Sequence, residues 1–154
     1  MDTAGMKQAL AATDRPSLPR DDAQAALAAL MVDFFAAVSF RPGNRPAYNR
    51  LQTLFAPTCR FLNASVDPPE LVDLAGFIGP RQRSVDACEL TAFEEVETTA
   101  TTNVFGNIAQ RWSAYTKRGT RRGQDFSARG FVSTQFVLLD GAWRITSMAW
   151  DDQT

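Results

Sequence analysis

The sequence predicts an α+β domain in which helices come first and a long antiparallel sheet follows. Three observations carry this. Apolar residues recur at helical spacing over the first half of the chain, from Leu27 to Val38 and again from Leu71 to Ile78. After Ala87 the pattern changes to alternation and keeps it almost to the end. Asp140-Gly141, between Leu139 and Ala142, is the residue pair of a two-residue hairpin turn.

Residues 1–20 hold small and polar residues with Pro16 and Pro19 and show no sustained period, so they read as a flexible arm. Residues 21–154 then form a single domain, the number that 154 residues accommodate. Asp21 or Asp22 caps a first helix, whose buried side carries Leu27, Leu30, Met31, Phe34 and Val38. Arg41-Pro42-Gly43-Asn44 breaks it. Pro46 opens a second, shorter helix with Tyr48, Leu51, Leu54 and Phe55 on its apolar side, and Pro57 stops it. A short strand over Thr58–Ser65 follows, and Pro68-Pro69 opens a third helical stretch. Four strands are then expected at about 88–98, 102–117, 123–139 and 142–151, with Gly106 as a bend within the second of them.

Composition narrows the function. A hydrophobic fraction of 45% and a charged fraction of 21% are those of a soluble globular domain. A formal charge of −1 gives no global field for nucleic acid or an anionic membrane, and neither is expected as a partner. No apolar run reaches the length of a membrane span. Cys59 and Cys88 are the only cysteines and no secretory segment opens the chain; a cytoplasmic protein with two free thiols is the expectation. The chain has no histidine. That excludes a histidine base, a Ser-His-Asp triad and any histidine-ligated metal, and neither metal nor cofactor is expected.

Several segments resemble the nuclear transport factor 2-like superfamily, in particular its SnoaL-like members. They are Leu54-Phe55-Ala56-Pro57 leading to Arg60-Phe61, Phe105-Gly106-Asn107-Ile108-Ala109, Ala128-Arg129-Gly130, and Gly141-Ala142-Trp143-Arg144-Ile145 leading to Trp150. The resemblance covers about residues 22–151. It implies a cone-shaped, strongly curved, mostly antiparallel sheet folded over helices, a pocket between them, and a homodimer formed through the outer sheet face. It implies no single activity, since a shared fold hosts isomerases, cyclases and dehydratases as well as binding and assembly subunits.

Pairing across Asp140-Gly141 sets Leu138 opposite Trp143, Phe136 opposite Ile145 and Thr134 opposite Ser147, an apolar face that also takes Val132 and Ala149. With Ile108 taken as inward, Gln110 and Trp112 join that face. The expected ligand-binding set is Phe34, Tyr48, Gln110, Trp112, Val132, Thr134 and Ser147, an apolar wall with few polar anchors. Trp112 also suits a plain core position, and Gln110 suits a partner for buried backbone. Of the neighbours Glu94 and Glu95 one faces in and one out; Glu94 is taken as the candidate catalytic acid or base, with Tyr48 or Gln110 holding an oxyanion. Cross-strand pairing with Arg111, Lys117, Arg118, Arg121, Arg122 and Arg129 accounts for the same glutamates without chemistry.

The first reading is thus a pocket binding a small, largely apolar or aromatic organic molecule. The second is an isomerase, cyclase or dehydratase with a pocket carboxylate, and the third an assembly subunit without ligand. Phe131, Gln135, Met148 and Trp150 are assigned to the outer face, where a second copy covers them.

Overall fold

The computed structural model describes residues 20–153. The arm expected over residues 1–20 lies outside the described residues but for its last one, which opens the first helix. That helix, α1, is Arg20–Val38, and its alanine-rich sequence buries Ala23, Leu27, Met31, Phe34, Phe35, Ala37 and Val38. The short second helix is a 3-10 turn, η1, Tyr48–Thr53, which buries Tyr48 and Leu51. The first strand starts earlier than expected: β1 is Phe55–Asn63, so Phe55 belongs to the sheet. Pro68-Pro69 does not open a helix. A short edge strand β2, Glu70–Val72, comes first, and α2, Leu74–Asp86, starts where the Asp73 carboxylate accepts the Gly76 backbone N–H at 2.8 Å.

Four strands complete the chain: β3 Leu90–Phe105, β4 Ile108–Arg121, β5 Gln124–Leu139 and β6 Ala142–Gln153. All three hairpin turns that join them use positive φ, at Gly106, at Arg122 and Gly123, and at Asp140 and Gly141. Gly106 is therefore a turn and not a bend within a strand. The residues expected as the start of the second long strand, Thr102 to Phe105, belong to the end of β3. The sheet order is β2-β1-β6-β5-β4-β3, antiparallel except where β1 runs parallel to β6. The helices lie on one face of this curved sheet, α1 mainly over β3. The fold is α+β.

Two breaks in register decide which side chains meet the helices. In β6 the pairing moves from Phe136↔Ile145 to Gln135↔Ser147 and Thr134↔Met148, leaving one residue over. A one-residue slip exchanges the two faces of a strand. Trp143 and Ile145 are buried before the break, and Met148 is buried after it. Met148 and Trp150, assigned from simple alternation to the outer face, thus point inward. In β3 a second break lies between Glu97 and Thr99. Its inward set is Phe93, Glu95 and Glu97 before the break, then Thr102 and Val104 after it.

The core joins α1 to β1, β5 and β6. Phe61 stacks on Phe77 with ring centroids 4.2 Å apart, and Phe55 lies 4.9 Å from Phe61. Glu97 is held on the inner face by Arg111, with bonds of 2.6 and 3.0 Å, and by the Ser113 hydroxyl at 2.6 Å. Burial works to raise that carboxyl, but these donors outweigh it and hold it low.

Gly130 sits opposite Tyr115 on β4 and Asp152 on β6. The missing side chain lets the Tyr115 ring cross the strand and give its hydroxyl to Asp152 at 2.5 Å. A Cβ at Gly130 would stand 2.5 Å from the Tyr115 oxygen and collide with the Asp151 carbonyl. Gly130→Ala is expected to destabilise the protein by about 2–3 kcal/mol, an overpacking cost, read by urea denaturation. A value within error of zero would mean that Tyr115 leaves Asp152 freely.

Candidate functional site

The inward faces and the helices enclose a cavity of about 690 Å3, within the range of small-molecule sites. Its walls are mostly apolar. Phe34 and Val38 come from α1, Phe77 from α2, Leu90 and Phe93 from β3, Phe126 and Val132 from β5, and Met148 and Trp150 from β6. Phe77 sets its ring edge-on to Trp150 at 6.1 Å, and Phe93 lies 6.4 Å from Phe126.

Polar and charged side chains line the rest. Strand parity brings Glu95 on β3 and Lys117 on β4 to the cavity as direct cross-strand neighbours. Lys117 is fixed from the other side by Asp152, 2.6 Å away, with both side chains largely buried. Asp152 also accepts from Tyr115, whose hydroxyl proton is held more tightly than usual by burial and then by that bond. Among the described residues Glu95 has no such partner. Burial raises its carboxyl from 4.5 to about 7; Lys117 and Arg81 oppose the rise and Asp152 adds to it. A carboxyl that titrates near neutrality inside an apolar cavity is able to hold or release a proton there.

Tyr48 from η1, Arg81 from α2, Arg121 and Arg122 from the β4–β5 hairpin and Asp125 from β5 also line the cavity. Arg81 packs its guanidinium 3.8 Å over the Phe77 ring and donates to the Phe77 carbonyl. The described residues hold no cluster of metal-ligating side chains, and none of their helices is long and apolar enough to cross a membrane.

The expected site residues divide. Phe34, Tyr48 and Val132 line the cavity. Glu94 does not: it is exposed on the opposite face, with Arg118 3.3 Å from its carboxylate, and the inward carboxylate is Glu95. Adjacent glutamates on a strand leave only the choice of parity, and the β3–β4 register makes it. Gln110 and Trp112 also face outward, because the turn at Gly106 reverses the assumed parity of Ile108, which is 60% exposed. Gln110 reaches the Ser133 hydroxyl there at 3.3 Å. Thr134 points inward but is fully buried away from the cavity, and Ser147 falls at the β6 break, opposite Gln135. Missed from the sequence were Glu95, Lys117, Arg81 and Trp150; period-2 alternation from the turn at Gly106 finds Lys117, but nothing local announces the breaks that turn Glu95 and Trp150 inward. Cys59 is buried, Cys88 exposed, and both are free.

Glu95 makes stability depend on pH with a definite sign. Its folded value of about 7 lies above the 4.5 of an unperturbed glutamate, so the folded chain keeps a proton that the unfolded chain has lost. This contribution is full below pH about 4.5 and fades as pH rises through about 7. Glu95→Gln is expected to remove that fade, gaining on the order of 3 kcal/mol over wild type between pH 4 and 8. Denaturation curves at the two pH values check it; parallel pH dependence in both proteins would mean that Glu95 is ionised and solvated in the fold.

No protein-family model matches the chain, and no curated protein matches it in sequence. Solved structures do match. A nuclear transport factor 2-like superfamily protein from Salmonella enterica serovar Typhimurium superposes with a TM-score of 0.73 at 13% identity, covering 88% of this chain and 94% of that one. The Kfla4162 protein from Kribbella flavida gives 0.72 at 12% identity, covering 88% and 94%. Hexachlorocyclohexane dehydrochlorinase LinA-type3 from Novosphingobium barchaimii LL02 gives 0.71 at 13% identity, covering 88% and 89%. With this helix order, sheet order and enclosed cavity, the chain has the nuclear transport factor 2-like fold.

Proposed function

We propose that the protein binds a small, largely apolar organic molecule in this cavity and exchanges a proton with it through Glu95. The observation that carries the reading is a single carboxyl titrating at about 7 among Phe, Val, Met and Trp side chains. Apolar walls supply affinity by removing ligand surface from water, and the polar groups orient it. Ionised Glu95 is a stronger base than a solvated glutamate, and protonated Glu95 is an acid available at neutral pH. Isomerisation, cyclisation and elimination all need such a proton exchange at carbon; a dehydrochlorinase of the same fold is one enzyme whose name describes an elimination. Without histidine, the carboxylate takes the role alone.

The test uses a carbon acid that reports a base in an apolar pocket, 5-nitrobenzisoxazole, whose ring opens when its C–H proton is removed. Wild type is expected to accelerate the opening, with a rate that rises as pH increases through about 7. Glu95→Gln should lower the rate by at least roughly 100-fold, and Glu94→Gln should leave it unchanged. Equal rates for Glu95→Gln and wild type would leave binding as the whole function.

A homodimer through the outer sheet face accompanies this reading. Trp112, 49% exposed, stacks on Phe131, 39% exposed, at 5.3 Å, and Val96 and Ile108 lie on the same face. Gln110, Ser133 and Gln135 surround them, the arrangement of an apolar centre with a polar rim. Light scattering at micromolar concentration should give twice the mass of the chain for wild type and for Arg118→Asp, and the mass of one chain for Trp112→Asp. A monomeric wild type overturns it.

A further inference from the structure

The cavity's four basic side chains differ in their pairing. Lys117 is neutralised by Asp152, and Arg122 has the Glu89 carboxylate 3.3 Å away. Arg81 and Arg121 also line the cavity, yet among the described residues neither is ion-paired with a carboxylate. Arg121 shares the inward parity of Lys117 on β4, two pairs of residues along. Arg81 is half-buried against Phe77; loss of water disfavours its protonated form, Tyr48, Glu95 and Glu70 oppose that, and the charge of Arg121 adds to it. Tyr48 stands in the same group: burial raises its hydroxyl, while Arg81 and Arg121 pull it down. Among the described residues its hydroxyl makes no hydrogen bond.

Side chains from three separate elements therefore line one cavity, and among the described residues neither arginine has a carboxylate partner. Two guanidiniums near one another repel unless an anion lies between them, and a guanidinium's fork matches a carboxylate in two parallel bonds. The anion should carry one charge. Glu95 and Asp125 line the same cavity, and a dianion would meet their repulsion.

We propose that the ligand is a monoanionic organic acid, its carboxylate held by Arg81, Arg121 and the Tyr48 hydroxyl and its apolar body laid against Phe77, Val132 and Trp150 toward Glu95. The assignment rests on the cavity being a ligand site and adds the class of ligand to it. Arg81 and Arg121 are binding residues; the end of the molecule that reaches Glu95 is the end opposite the carboxylate.

Calorimetry at pH 8 with three matched probes tests this: 4-phenylbutyrate, 4-phenylbutan-1-ol and 4-phenylbutyl phosphate. The acid is expected to bind at least tenfold more tightly than the alcohol. Arg121→Gln and Tyr48→Phe should each remove most of that preference and leave the affinity for the alcohol unchanged. Arg81→Met also takes away packing on Phe77, so Arg121→Gln decides if it fails to fold. Equal binding of acid and alcohol, or a preference that survives Arg121→Gln and Tyr48→Phe together, overturns the acid and keeps the cavity as an apolar site. Tighter binding of the phosphate overturns the single charge. Binding of none of the three overturns the cavity reading along with the acid.

Discussion

The break in β6 between Ile145 and Ser147 governs most of what the interior contains. Before it, Trp143 and Ile145 fill the core; after it, Met148, Trp150 and Asp152 take the inward places that Ser147, Ala149 and Asp151 would hold in an unbroken strand. A β-bulge is a local backbone event, but its effect extends to every later residue of the strand. Two cavity walls and the carboxylate that anchors Lys117 and Tyr115 depend on it. The break in β3 acts in the same way. It lets Glu95 and Glu97 face inward near the cavity while Thr102 and Val104 face inward beneath α1.

Three inward glutamate and aspartate side chains show how environment separates equal chemistry. Glu97 has Arg111 and Ser113 and stays ionised; Asp152 has Lys117 and Tyr115. Glu95 has a cross-strand neighbour whose charge is already committed, and among apolar walls its carboxyl keeps the proton to near neutrality. In the interior, an acid with donors stays ionised, and an acid without them holds its proton to higher pH. The same contrast holds among the arginines. Arg111 binds Glu97 at both carboxylate oxygens, whereas Arg81 rests on an aromatic ring and faces an open cavity.

The two faces of the sheet carry different chemistry because their neighbours differ. The inner face meets helices and encloses the cavity. The outer face holds a stacked Trp112 and Phe131 amid glutamine, serine and threonine, too apolar at its centre for water and too polar at its rim for a core. Small, donor-rich side chains at that rim suit an interface that packs sheet against sheet.

Sequence alone determined the class of fold. Helical and strand periods and Asp140-Gly141 specify the order of the main elements, because each is a short-range signal read within a few residues. It also placed Phe34, Tyr48 and Val132, which sit where an unbroken pattern puts them, and it removed histidine chemistry. Only the tertiary structure decided which glutamate faces the cavity, that Gln110 and Trp112 face away from it, and that Met148 and Trp150 face into it. Those facts hang on one turn at Gly106 and one extra residue in each of β3 and β6, each of which reverses a strand face. Arg81 and Arg121 meet Tyr48 only through the packing of α2, the β4–β5 hairpin and η1, three elements that no local pattern brings together. Parity is a global property of pairing, and a sequence writes it only where nothing interrupts the alternation.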